Sequence, residues 1–467
     1  MGFNFSGISS KIVGVKDITI KVNSDTNPLI VLANKIDWLN LADLVLPDLK
    51  KTTAKLCWWR GRKLELRIHL AVYILQKMYD YKDRQTEELI KANAVYQVFC
   101  GETNIKKWHC PDHTKIEDFR SRLSPGTQKV IANETAKLGV KLGFVDPKEA
   151  DCDSTIQEAN IAYPSDVNLM VQLVALAKKV ADYMNKNIPY FKLNPLNIDY
   201  KNVKTIARKY FFSDYKKNTE EQFSILVAVW RAAYKNVCEV TRYTKVLLNP
   251  KREYIPWNIK NAASTLHEHS SKYFLNVIPF IFNHIAVKDK LLSLHASKVA
   301  FFNKGKLSKK KQVGRVFQLG RIKGNLMFVC KCTSVQMPDK KSLTNLIETH
   351  QSLFGAGTLR SVSFDKGYYS LNNDKTLVKN NLSPLGLQKP GGRKALTSTE
   401  LDLELNLANR RAGVEPLIGH VKQGGQLDRS RMKSDDTTES AGYAAVTGFN
   451  FRQILRYLSL EMKPANG

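Results

Sequence analysis

The stretch NRRAGVEPLIGHVKQGGQLDRSRMK, residues 409–433, sets the problem. Glu415 stands among Arg410, Arg411, Lys422, Arg429, Arg431 and Lys433, with Asp428 the other carboxylate of the run. An acid amid so much positive charge is either an ordinary surface ion pair or a metal-binding group on a surface that meets nucleic acid. At 3.6 residues per turn Arg411, Glu415, Gly419 and Lys422 fall on one stripe. Gly419 leaves that stripe bare, so a phosphate backbone could approach, with Arg411 and Lys422 holding phosphates on either side of a metal-bound Glu415. Upstream, Thr397 and Glu400 have capping-box spacing, and Gly424–Gly425 supply a stop. The spacing predicts one long helix across this region, with Pro416 bending it or leaving the Ala412 carbonyl unbonded.

The elements leading up to this helix read as regular α/β. Residues 148–160, KEADCDSTIQEAN, form a strand in which Asp151 and Asp153, two apart, point to one side. GRVFQLGRI and LMFVCKCTSV are strands joined by the tight-turn signal KGN. DKKSLTNLIETHQSLF is a helix, LRSVSFD a short strand ending at Asp365, YSLNNDKTLVKN a helix, LSPLGLQ extended, and a last helix covers about 436–462. Strand, hairpin, helix, strand, helix, strand, helix is the order of a ribonuclease H-like fold. In such folds three carboxylates meet beyond the carboxyl ends of the strands, where open α/β sheets bind ligands. Asp153, Asp365 and Glu415 occupy those positions, and Asp151 is read as a supporting neighbour of Asp153. Carboxylates of this kind suit Mg²⁺ or Mn²⁺, two ions about 3.5–4 Å apart in phosphodiester cleavage.

The expected organisation has three parts. Residues 1–145 are helical and read as a DNA-binding domain. LELRIHLAVYILQKMY carries Leu66, Leu70, Ile74 and Met78 at helical spacing; DYKDRQTEELIKANAVYQVFCG starts with Asp83 as cap, and PDHTKIEDFRSRL with Asp112 or Thr114. Short consecutive helices with basic flanks resemble a helix-turn-helix module. Segments 146–164 and 296–467 form the catalytic core. Residues 165–295 are a mostly helical insertion, opened by a helix with Leu169, Leu173, Leu176, Val180 and Met184 on one stripe. Tyr163 and Asp166 either shape the site edge or cap that helix. A possible short strand, KDITIKV, precedes everything.

Composition narrows the partner. The chain has 467 residues, with 72 Lys+Arg against 43 Asp+Glu, a net charge of +29 spread along its length. That balance favours a polyanion, because each neutralised phosphate releases counterions. At 43% hydrophobic residues it can bury real cores and is not a disordered basic tail. No signal peptide and no run long enough for a membrane span is visible, and the MGFNFS start matches a myristoylation pattern too short to carry weight. Seven scattered cysteines fit a reduced, intracellular protein. His109, Cys110 and His113 with Cys100 match no usual zinc spacing, and Cys330 and Cys332 share one face of a strand, which reads as packing. Lys366 and the basic loop with Lys304, Lys306, Lys309, Lys310 and Lys311 read as DNA contacts, with Arg429 and Arg431.

At these residues the chain resembles bacterial insertion-sequence transposases with a DDE active site, the branch with the signature Tyr-x2-Arg-x3-Glu-x6-Lys. Arg411, Glu415 and Lys422 match it in identity and spacing, whereas Ala408 stands at the Tyr position. DCDSTIQEANIAYP is similar to the segment of the first acid, SFDKGYYS to that of the second, and FNKGK…VGRVFQLG to the second-strand region. DRQTEELIKANAVYQVFCG and CPDHTKIEDFRSRL look like the N-terminal helical region of the same group. The resemblance spans roughly 60–160 and 295–460 and leaves 190–290 unmatched. It implies cleavage at the terminal inverted repeats of a mobile element and transfer of the freed 3′-hydroxyl to target DNA. It further implies a homodimer on the paired ends and a bacterial cytoplasmic, nucleoid-associated setting. The alternatives are a catalytically inactive DNA-binding protein derived from such an enzyme and a ribonuclease H-like nuclease.

Overall fold

A computed structural model describes residues 25–53, 65–101, 110–161, 165–212, 219–249, 255–285, 287, 290–303, 311–334, 338–393 and 396–462. The expected strand KDITIKV, His109, Tyr163, Lys304, Lys306, Lys309 and Lys310 lie outside the described residues. The chain divides into two compact units. One comprises Met1–Asp146 with Gly324–Leu326 and Thr447–Gly467, the other Pro147–Lys323 with Met327–Val446.

The first unit is helical. Leu66–Tyr79 is buried on nearly all sides, from His69 through Gln76 and at Met78, so the expected stripe of Leu70, Ile74 and Met78 is part of a wider apolar surface. Asp112 caps His113–Arg122 by accepting from the amides of Thr114 and Lys115. Asp83 does not cap its helix. Lys82 is the cap residue, and Asp83 sits in the first turn, where it binds Arg120 and accepts from Gln76 Nε2 at 2.6 Å. A carboxylate in the first turn still favours the positive end of the helix, so the sequence signal survives a shift of one residue.

The second unit is built on a five-stranded sheet. Its strands are β1 (Asp146–Glu158), β2 (Ala300–Asn303), β3 (Lys311–Lys323), β4 (Leu326–Thr333) and β5 (Ser361–Ser363). The order is β2-β3-β1-β5, with β4 also paired to β3. β2 was not anticipated; four residues give too short a pattern to read, and it runs antiparallel to the start of β3, Ala300 opposite Gly314 and Asn303 opposite Lys311. The β3–β4 hairpin turns on Gly324 and Asn325, with φ of +98° and +67°. Two positive φ values in succession are what a two-residue hairpin turn of type I′ requires, and Gly and Asn tolerate them best. β5 lies parallel to β1, with Glu149 opposite Ser361, Ala150 opposite Val362 and Asp151 opposite Ser363. Segment 382–388 is not a full strand. It forms a short 3-10 turn, Pro384–Gly386, and a single parallel bridge from Leu387 to Phe364.

Among the described residues between Asp166 and Asn283 the regular elements are all helices, as expected. The first of these helices, Asp166–Asn187, buries Leu169, Leu173, Val180 and Met184, while Leu176 only packs at the margin. Each such buried aliphatic side chain contributes roughly 1.5–3 kcal/mol, and the cluster extends through Val203, Val229, Val237, Ala263, Leu266 and Phe274. The insertion therefore has a core of its own kind, helix on helix. Asp166 belongs to it: its carboxylate takes Lys290 Nζ at 2.8 Å and the Tyr273 hydroxyl at 3.3 Å, while Ser165 caps the helix.

The long helix expected across residues 397–423 is two helices. Ser398–Ala412 opens with the predicted capping box, Thr397 and Glu400 bonding each other's backbone. It stops at Gly413, and Val414–Gln423 begins there. The break resolves the difficulty of Pro416. As the third residue of a new helix its missing N–H lies among donors that have no intrahelical partner anyway, and the Ala412 carbonyl falls in the last turn of the helix before, where such partners also end. The second helix ends at Gln423, with Gly424 at its cap, and the last helix covers Asp435–Glu461.

Candidate functional site

All three acids named from the sequence come together in the second unit, and they do so on Arg411. Its Nη2 lies 3.3 Å from Asp153 Oδ2 and 3.5 Å from Asp365 Oδ2, and its Nη1 lies 2.7 Å from Glu415 Oε1. The strand register explains the first two. Asp151 pairs with Ser363, so two residues further along the parallel pair Asp153 and Asp365 are side by side. Asp365 then turns the chain out of the sheet and accepts the Lys366 amide at 2.7 Å, capping a short 3-10 turn. Glu415 arrives from the helix that starts at Gly413, one turn after Arg411.

The acids differ in exposure. The side chain of Asp153 is 19% exposed, that of Asp365 46% and that of Glu415 63%. Burial pushes the Asp153 carboxyl above the ordinary aspartate range; Asp365 and Glu415 push the same way, and Arg411 and the Ser154 amide pull against them. Burial disfavours the Arg411 charge, yet the three carboxylates outweigh it and its pKa is raised. Three negative groups thus share one guanidinium, leaving the cluster short of positive charge. The donors are hard oxygens, the type that suits Mg²⁺ or Mn²⁺. Among the described residues no three His, Cys, Asp or Glu side chains close on a common ion position as they stand. At this cluster the guanidinium stands between the acids.

Asp151, two residues before Asp153 and on the same side, does something else. It is buried and takes Arg410 Nε on Oδ1 at 2.6 Å and Arg321 Nη1 on Oδ2 at 3.4 Å. Arg410 also donates to Glu149 Oε2 at 3.2 Å and Ser361 Oγ at 3.0 Å, and Arg321 donates to the Arg410 carbonyl at 3.0 Å. A further tie runs from Ser363 Oγ to the Leu407 carbonyl at 2.7 Å. These bonds fasten the last turn of Ser398–Ala412 to β1 and β5, and so aim Arg411 at the acids. Sequence reasoning placed Asp151 beside the site but missed Arg410, Arg321 and Ser363. The adjacency of Arg410 to Arg411, opposite acids spaced by two on a strand, was the available signal.

Tyr368 is a second missed residue. It is buried, and its hydroxyl lies 2.9 Å from Ser154 Oγ and 3.4 Å from Gln318 Nε2, so it ties the turn after Asp365 to β1 one residue past Asp153. Asn373 Nδ2 in turn holds the Tyr368 carbonyl at 2.7 Å.

The basic residues divide. Lys422 Nζ pairs with Asp428 at 3.2 Å, an exposed contact of the kind worth about 0–1 kcal/mol. Lys366, Arg429 and Arg431 are exposed. The backbone of Arg429 bridges to Glu158 at the end of β1, with the Ser430 amide on the Glu158 carbonyl at 2.8 Å. A Cβ on Gly419 would meet nothing within 4 Å, so that helix face is open as expected. Of the cysteine and histidine residues weighed for zinc, His113 Nδ1 lies 2.8 Å from Glu87 Oε2, and burial pushes the Cys110 thiol up to about 12.

Residues 17–122 match the family described as Transposase domain (DUF772). That match covers under a quarter of the chain. The match contains the N-terminal helical segment 83–101 and all but the last residue of the segment 110–123. The chain is also 24% identical over 120 residues to the "Uncharacterized protein ORF8 in nfe locus" of Rhizobium meliloti, covering 24% of this chain and 58% of that protein. The alignment thus spans less than two thirds of that relative. No solved structure matches the chain. No helix among the described residues is long and apolar enough to cross a membrane.

Proposed function

We propose that the protein is a DNA transposase of the DDE type, cutting at the terminal inverted repeats of its mobile element and joining the freed 3′-hydroxyl to target DNA. The observation that carries this reading is the meeting of Asp153, Asp365 and Glu415, from three elements far apart in the chain, on one guanidinium at the end of the β1–β5 pair. The sheet supports the ribonuclease H-like assignment: β1 lies between the long hairpin strand β3 and the parallel strand β5, with Leu387 bridging next to β5.

Asp153, Asp365 and Glu415 are the residues that would hold Mg²⁺ or Mn²⁺. Two such ions, when bound, lower the pKa of the attacking water or hydroxyl and neutralise the leaving oxygen. The chain's own groups do the rest. The Arg410–Asp151 pair fixes the helix end that carries Arg411. Arg411, at the end of one helix, and Lys422, near the end of the next with the bare Gly419 a turn before it, are proposed to hold phosphates of the strand being cut. Arg429, Arg431 and Lys366 add exposed positive charge, Lys304 and Lys306 are proposed as further DNA contacts, and two copies of the chain are proposed to act on paired ends.

Purified protein with Mg²⁺ is expected to nick DNA carrying the inverted repeats that bracket its reading frame. Asp153→Asn, Asp365→Asn and Glu415→Gln are each expected to abolish nicking while retaining binding. Normal nicking by all three variants overturns the reading. Cleavage of an RNA–DNA hybrid without strand joining would instead favour a ribonuclease H-like nuclease.

A further inference from the structure

We infer that Arg411 is the resident counter-cation of the carboxylate cluster, and that it leaves the cluster when divalent cations enter and passes to a DNA phosphate. This rests on the metal-dependent reading above. The guanidinium touches all three acids, 3.3, 3.5 and 2.7 Å away through its two terminal nitrogens. An ion bound by the same carboxylate oxygens at about 2.0–2.2 Å would lie within a few ångströms of those nitrogens, like charge against like charge. The acids cannot serve both cations at once.

The way Arg411 is held shows which of them is exchangeable. Its Nε is buried with no acceptor. The side chain is therefore held through its terminal nitrogens, by charge-assisted hydrogen bonds to the acids it faces, with no bond at Nε. Arg410, its neighbour, is the reverse case: besides Asp151 and Glu149 it has Ser361 Oγ at 3.0 Å and the Ala150 carbonyl at 3.5 Å. Remove the demand of the acids and Arg410 stays, whereas Arg411 has little to retain it. It is then free to meet a phosphate, which a guanidinium suits by its planar fork of donors. Cation and DNA both favour the released state, so each strengthens the binding of the other.

Binding of Mn²⁺ to the full chain, followed by calorimetry and electron paramagnetic resonance, tests this. Arg411→Gln is expected to bind Mn²⁺ about tenfold tighter than wild type, the gain if Arg411 fills the cluster nine-tenths of the time. Its melting temperature in chelator is expected to be lower, because the acids lose their counter-cation, and Arg411→Lys is expected to fall between the two in both measurements. A merely structural arginine would lower the melting temperature without tightening Mn²⁺. A second readout is the gain in duplex affinity that Mn²⁺ confers, present in wild type and reduced in Arg411→Gln. If wild type binds Mn²⁺ and folded Arg411→Gln or Arg411→Lys binds it no tighter, the inference is overturned. If neither wild type nor variant takes up Mn²⁺, the metal-dependent reading itself falls, and the inference with it.

Discussion

Arg410 and Arg411 are consecutive residues, and each faces an aspartate of β1, the first Asp151 and the second Asp153. The Asp151 pair is closed. Its carboxylate is 3% exposed and both of its oxygens are bonded. The Asp153 pair is open to two further acids and to solvent at Glu415. Alternation along a strand and succession along a helix have put an anchor and a reactive cluster side by side. One pair holds the scaffold, and the other is left short of positive charge where chemistry is proposed. Substitutions should separate the two.

The largest contrast is expected in activity. Glu415→Gln should lower cleavage by at least about 10³-fold, the scale lost when a catalytic group is removed, with stability changed by less than about 0.5 kcal/mol because the side chain is 63% exposed. Nicking assays and thermal melts on the same preparation check both halves, and a stability loss as large as the anchor's would erase the distinction. Arg410→Ala should behave the other way. It leaves Asp151 buried and largely unpaired, a change that costs about 3–5 kcal/mol, readable as a lower denaturant midpoint. Asp151→Ala should match it.

Acidity gives a third, smaller test at the other end of β1. His350 Nε2 lies 2.6 Å from the Pro147 carbonyl, and burial holds its imidazole below the ordinary value of 6.5. The unfolded chain therefore takes up the proton more readily. Stability from this group is present above about pH 6.5 and is lost as the pH falls through that range. Melting temperature should drop between about pH 7.5 and pH 5.5, and His350→Gln should flatten the dependence. The smallest effect is expected at Gly419. Gly419→Ala should gain up to about 1 kcal/mol of stability, since the added methyl meets nothing and helix propensity rises, yet weaken DNA binding by crowding the bare face. Melting curves and a duplex titration read the two together.

Much of this was legible before any coordinates. The capping box at Thr397, the turn at Gly324–Asn325, the stop at Gly424 and the helical insertion are local signals, set by a few neighbouring residues, and they appear where expected. The acids could be chosen because strand ends and helix starts follow from such signals. What escaped was non-local. Arg410 reads as one more cation in a basic run until β1 is beside it. Tyr368 reads as an ordinary aromatic until Ser154 and Gln318 surround its hydroxyl. β2 is too short to show a pattern and forms because β3 offers an edge. The division at Gly413 was hidden by a helical pattern running through it, and only the position of Pro416 hinted that a new helix begins.

That interruption at Gly413 makes Glu415 mechanically separate from the clamp that fixes Arg410. A Cβ at 413 would sit 3.3 Å from the Arg410 carbonyl and 3.2 Å from Arg321 Nη1. A bulkier residue there would press on the fastened side of the joint and tilt the other. The third acid is in effect mounted on its own short lever. Its reach toward the paired aspartates can be trimmed by what Val414–Gln423 rests on, while the sheet and the bolt through Asp151 remain untouched.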